Sequence, residues 1–152
     1  MSELRDLYQE LILDHGKRPR NFGPIATPSH RADGHNPLCG DKLTVFLVIE
    51  SDRIADVGFQ GSGCAISMAS ASLMTEAIKG KAEAEVRTMF ERFHTGLTAK
   101  DEAAAAGAFA DLDKLVVFSG VREFPIRVKC AALPWRTLVA ALDHAQQPVK
   151  TE

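Results

Sequence analysis

The sequence predicts an α+β fold, a small antiparallel β-sheet of about three strands covered by several α-helices. Two β-rich runs, Lys42–Glu50 and Arg53–Gln60, adjoin across Ser51-Asp52 and read as a hairpin. Helical periodicity flanks that hairpin, before it from Leu4 and after it from Ile66 onward. With 152 residues, 45% hydrophobic and 25% charged, the chain is long enough for one buried core and too apolar for disorder. No internal repeat or domain boundary stands out, so a single domain is expected over 1–152. It divides into an N-terminal helix and basic loop (1–31), a sheet (32–60), a helical part (64–146) and a frayed tail (147–152).

The first helix follows from Leu4, Leu7, Tyr8, Leu11 and Ile12, which form an apolar stripe, with Ser2 as its cap and Gly16 and Pro19 as its end. Residues 17–31 read as a loop carrying Lys17, Arg18, Arg20 and Arg31, a solvated segment or a docking patch for an acidic partner. Residues 32–36 make a short edge strand ahead of Asn36-Pro37. In the returning strand Ala55, Val57 and Phe59 share one face. Ile66, Ala69, Ser70, Leu73 and Ala77 then keep the 3.6-residue period, and Met68, Ala71, Thr75 and Ile78 add a second stripe, so this helix is buried on most sides. Gly80 stops it.

Val86, Met89, Phe90 and Phe93 define the next helix, within 82–93. The alanine-rich stretch 98–110 fits a short helix or a mobile segment. Leu112, Leu115, Val116 and Phe118 continue helical spacing up to Gly120. In the last helix Trp135, Leu138, Val139 and Leu142 lie on one face, and Pro134 is tolerable only in a first turn, so the helix is expected to start at or just after Cys130.

A net charge of −2 provides no basic field for nucleic acid. The N-terminus lacks the basic and apolar regions of a signal peptide, and no apolar run approaches the roughly 20 residues that span a bilayer. The expectation is a cytoplasmic protein with neither nucleic acid nor membrane as partner. Three cysteines in a reducing compartment point to thiol or metal chemistry more than to disulfides.

Each cysteine stands at an element boundary. Gly61-Ser62-Gly63 breaks the strand run, and Cys64 follows where a helix begins; the free N–H groups there favour a thiolate. In Asn36-Pro37-Leu38-Cys39-Gly40-Asp41, Gly40 permits a tight turn that aims the Cys39 thiol and the Asp41 carboxylate at one point. With Cys64 and Cys130 this gives three sulfurs and one oxygen, a full tetrahedral set for zinc. The bland alternative is three unrelated buried cysteines. His15, His30, His35, His94 and His144 follow no ligand spacing and read as surface residues, with His35 a minor ligand candidate.

Asn36-Pro37-x-Cys39-Gly40-Asp41, Gly61-x-Gly63-Cys64-x-Ile66-Ser67 and Arg127-x-Lys129-Cys130-Ala131 resemble the three cysteine motifs of the U-type iron–sulfur assembly proteins. Leu7-Tyr8-x-Glu10-x-Ile12-Leu13-Asp14-His15 and Pro19-Arg20-Asn21 resemble that family's N-terminal helix and loop. The chain is more similar to the SufU branch than to the IscU scaffold branch. Lys129 stands where IscU-type chains carry a histidine, and the segment from Gly80 to Cys130 is long. The resemblance implies a Zn²⁺-bearing sulfurtransferase, with Cys39, Asp41, Cys64 and Cys130 as metal ligands. It would take persulfide sulfur from a SufS-like cysteine desulfurase onto Cys39, whose Gly-flanked loop makes it the mobile thiol, and pass it to a downstream iron–sulfur scaffold. The alternatives are a scaffold carrying a transient [2Fe–2S] cluster on the same cysteines, and a structural zinc module. Arg127 would offset the charge of the thiolates, and Tyr8, Arg18, Arg20 and Asn21 would form the docking end.

Overall fold

The computed structural model describes residues 2–150. Helix α1 (Ser2–Lys17) leads into a loop, then β1 (His30–Asn36), β2 (Asp41–Glu50) and β3 (Arg53–Ser62). Helices α2 (Ala65–Ile78), α3 (Glu83–Thr98) and α4 (Glu102–Phe109) follow, then a 3₁₀ helix (Asp113–Val121), α5 (Pro125–Leu142) and β4 (Val149–Lys150). The architecture is α+β, as the sequence predicts. The sheet has four strands in the order β3-β2-β1-β4, and β4 runs parallel to β1 while the other pairs are antiparallel. Two expectations change there. The segment after Gln146 returns to pair with Gly34 and His35 instead of fraying, and β1 thereby becomes an inner strand.

Ser51 and Asp52 both take positive φ (52° and 62°), the geometry of a tight hairpin turn whose twist matches the strands. The pairing then slips by one residue. Val48 faces Asp56 but Ile49 faces Ile54, so Ala55 is a bulge, exposed, and Ile54 takes the core place expected for it. On the helix-facing side Ala32, Val45, Leu47, Val57 and Phe59 are buried under α5 and its neighbours. Gly34 lets α5 come close, since a Cβ there would collide with Thr137 Oγ1 and crowd Leu133.

Helix α5 starts one turn and more before the predicted point. Pro125 occupies its first turn, where a missing N–H costs nothing, and Pro134 lies in its interior. An interior proline costs about 3 kcal/mol. Trp135 beside it is fully buried and stacks on Phe93 at 5.0 Å. An aromatic of that size buries roughly 150–250 Å², worth about 4–6 kcal/mol, so packing overrides the proline. Cys130 therefore sits within α5, and Pro134 cannot supply the amide that its carbonyl would ordinarily accept.

The stretch 98–110 resolves into α4, capped by the Asp101 carboxylate on the Ala103 and Ala104 amides. The following segment is a 3₁₀ helix rather than an α-helix, and it runs past Gly120 to Val121. Leu112, Leu115, Phe118 and Val121 recur every third residue, so three residues per turn places all four in the core.

In α1 the buried side is Ile12 and His15, with Tyr8 and Leu11 half-buried. Leu4 and Leu7 are 48% and 60% exposed, against the stripe read from the sequence, because α2 covers only the later part of the helix. The side chain of Ser2, the expected cap, lies outside the described residues. His15, expected at the surface, is 2% exposed, and its Nδ1 lies 2.7 Å from the Ser72 hydroxyl. Only His144 among the histidines is fully at the surface; His30, His35 and His94 are half-buried.

Burial lowers the His15 pKa, reinforced by Arg20 and opposed by Glu76. A depressed folded pKa means stability that is present above the unfolded value of about 6.5 and lost as pH falls below it. The urea midpoint should thus fall more steeply between about pH 7.5 and 5.5 in the wild type than in His15→Gln. Equal slopes would show that His15 titrates alike in folded and unfolded chains.

Candidate metal centre

Three elements deliver the predicted ligands to one end of the sheet. The β1–β2 hairpin closes on the Asn36–Asp41 pair, with Cys39 in its turn and Gly40 at φ 74°. Strand β3 ends at Ser62 opposite Lys42, which brings Cys64 beside that turn. Helix α5 supplies Cys130 from above. The Cys39, Asp41 and Cys130 ligand atoms lie within 4.8 Å of one another, the one such group among the described residues. Cys130 Sγ approaches Cys39 Sγ at 3.3 Å.

Cys64 joins through Asp41. The buried carboxylate accepts the Cys64 amide on Oδ1 at 2.8 Å, and its Oδ2 lies 3.8 Å from Cys64 Sγ. Cys64 is the N-cap of α2, and its sulfur accepts the Ser67 amide at 3.5 Å. Hydrogen bonding from Cys130 lowers the Cys64 pKa to about 6, with the Ser67 amide acting in the same direction and burial against it. Cys130 moves the opposite way, holding its proton as donor to Cys64 and as a buried thiol. Accessibility also differs: Cys64 is exposed, Cys39 half-buried and Cys130 buried.

Among sulfur and carboxylate donors at these separations a zinc-sized ion is a chemical fit, since thiolates suit zinc and one carboxylate completes four ligands. The predicted mobility of Cys39 takes a different form. Its turn is closed by the Cys39 and Gly40 amides on the Asn36 carbonyl (3.2 and 2.8 Å) and by the Leu38 amide on Asn36 Oδ1 (3.1 Å). Freedom at Cys39 therefore lies in its side chain.

The remaining predicted residues have contacts of their own. Arg127 is exposed and stacks over the Phe124 ring at 4.5 Å. Arg18 and Arg20 both bond Asp14, which holds that carboxyl down at about 2, Arg20 having the larger effect. Arg20 and Asn21 also anchor the loop on α2, through the Arg20 amide to Ser72 Oγ and Asn21 Nδ2 to Thr75 Oγ1 (2.8 and 2.9 Å). Tyr8 is half-buried on α1. Two further residues belong to the centre: Asn36, legible as a turn former before proline, and Gly63, where a Cβ would meet the Asp41 carboxylate.

The family model for the NifU-like N-terminal domain matches residues 7–131. The zinc-dependent sulfurtransferase SufU of Bacillus subtilis (strain 168) is 39% identical over 137 residues, 90% of each chain. An iron–sulfur cluster assembly scaffold protein IscU of Streptococcus pyogenes serotype M1 is 33% identical over 145 residues, 95% of this chain and 88% of that one. That match includes the long segment between Gly80 and Cys130, so the segment alone does not separate proteins bearing the two names. The crystal structure of FiSufU from Fervidobacterium islandicum AW-1 superposes with a TM-score of 0.78 at 36% identity, over 91% of this chain and 98% of that one. Sequence and fold agree, and the chain belongs to the NifU-like N-terminal domain family of SufU- and IscU-type iron–sulfur cluster assembly proteins.

Proposed function

We propose that this protein is a zinc-bearing sulfur acceptor that takes persulfide sulfur from a cysteine desulfurase and hands it on to an iron–sulfur scaffold in the cytoplasm. The observation that carries the reading is the convergence of Cys39, Asp41 and Cys130 within 4.8 Å, with Cys64 tied to Asp41. Cys39, Asp41, Cys64 and Cys130 would hold the ion. Zinc there would supply a redox-inert charge that keeps the thiolates deprotonated. Among the described residues no helix is long and apolar enough to cross a membrane.

Cys39 is the proposed acceptor. It is half-buried and sits in the turn between β1 and β2, outside both strands. Its thiolate attacks the outer sulfur of the desulfurase persulfide. A new S–S bond forms on Cys39, the S–S bond of the desulfurase breaks, and its electron pair leaves with the desulfurase cysteine as thiolate. No external oxidant is required. Cys64 is the second reading, favoured by its exposure.

Elemental analysis of protein purified without added metal tests the role: zinc without iron or inorganic sulfide supports the acceptor, iron with sulfide the scaffold. The docking end is proposed to include Tyr8, Arg18, Arg20 and Asn21. Arg18 is the clean probe, with its side chain 80% exposed, whereas Arg20 also holds the loop. Arg18→Glu should slow desulfurase association, most at low salt, with zinc content unchanged. An unchanged on-rate would move the interface elsewhere.

A further inference from the structure

We propose that Asn36 is a positioning residue of this site, joining the Cys39 turn to the Cys130 sulfur through the two ends of its amide. The inference rests on the metal reading above. Asn36 is fully buried at the end of β1, opposite Asp41. Its Oδ1 accepts the Leu38 amide at 3.1 Å, and its carbonyl accepts the amides of Cys39 and Gly40. Its Nδ2 donates toward Cys130 Sγ at 3.9 Å. That sulfur is the one Cys39 Sγ approaches at 3.3 Å. One side chain thus sets the path of the backbone into Cys39 and meets the sulfur that Cys39 must face.

The turn by itself does not call for asparagine. Serine and aspartate oxygens accept the same amide two residues on. What those residues lack is an N–H donor for Cys130, and aspartate would add another negative charge to a site already holding three thiols and the Asp41 carboxylate. A donated hydrogen bond draws charge from a ligating sulfur and fixes its orientation, and such supporting contacts are worth about 10–100-fold in metal affinity.

The test loads wild type, Asn36→Ser and Asn36→Asp with Co²⁺ and reads the sulfur-to-cobalt charge-transfer band, with affinity from competition against a chelator. Both variants keep an oxygen for the turn and remove the amide N–H that reaches toward Cys130. The band should move to lower energy in Asn36→Ser, where affinity falls about tenfold, and the loss should be larger in Asn36→Asp. A turn residue alone would move neither. In wild type loaded with a magnetic cadmium isotope, scalar coupling between the metal and the Asn36 side-chain N–H would show the hydrogen bond without any substitution. Variants with the wild-type band and affinities within about twofold of wild type would overturn the proposal. Wild type showing no thiolate charge transfer at all would overturn the metal reading and this inference with it.

Discussion

Replacing Gly63 by alanine is expected to strip most of the metal affinity while leaving the chain folded. A Cβ at Gly63 would collide with Asp41 Oδ1 and stand 3.0 Å from its Cγ and 3.1 Å from its Cβ. Asp41 has nowhere to retreat, being fully buried at the start of β2 with Oδ1 committed to the Cys64 amide at 2.8 Å. The carboxylate must rotate off that amide, which displaces one proposed ligand and unfastens the segment bearing another. Loss of contacts of this kind costs about 10–100-fold in affinity, readable by competition with a chromophoric chelator. Gly107→Ala is the control, because nothing lies near a Cβ there. Wild-type affinity in Gly63→Ala, with circular dichroism unchanged in both variants, would show that Asp41 has no part in holding the metal.

Cys64→Ser should release the metal and lower the melting temperature by about 5–10 °C. The site joins three separate segments, β1–β2, the start of α2 and α5, so its closure and folding are linked. An ion present at about 100 times its dissociation constant adds about 2.7 kcal/mol, and about 1 kcal/mol shifts a chain of this size by about 2–4 °C. Cys64 is the informative position because it is exposed, so serine loses little packing, and serine is itself a good N-cap. The loss should equal that caused by chelating the wild type, and chelator should have no further effect on the variant. A metal-free Cys64→Ser that melts with the wild type would refute the linkage.

The parts of the fold legible in the sequence are those governed by local rules. Alternation and the Ser51-Asp52 turn gave the β2–β3 hairpin, and the 3.6-residue period gave α2 and α3. Departures arose where tertiary packing decides. Pro134 reads locally as a first-turn residue, yet the burial of Trp135 carries α5 through it, so Cys130 lies inside a helix and not at its start. The return of Val149 to β1 depends on a partner far along the chain. His15 reads as polar, and its buried place rests on distant partners, the Ser72 hydroxyl at Nδ1 and Glu76 at 3.8 Å from Nε2. At the site, residue types and the two hairpin glycines were enough to place Cys39, Asp41 and Cys64 near one another. The Asn36 amide and the crowding at Gly63 emerge only once β1, β3 and α5 are docked.

The central claim is sulfur acceptance at this centre, and peptide mass spectrometry after incubation with a cysteine desulfurase and free cysteine tests it most directly. The protein should gain the mass of one sulfur atom, removable by reductant, on the peptide containing Cys39, and Cys39→Ala should gain none. Sulfur on Cys64 with Cys39 unmodified would transfer the acceptor role to the exposed thiolate at the α2 N-cap. Failure of any cysteine to gain sulfur, with zinc bound and desulfurase active, would contradict the account.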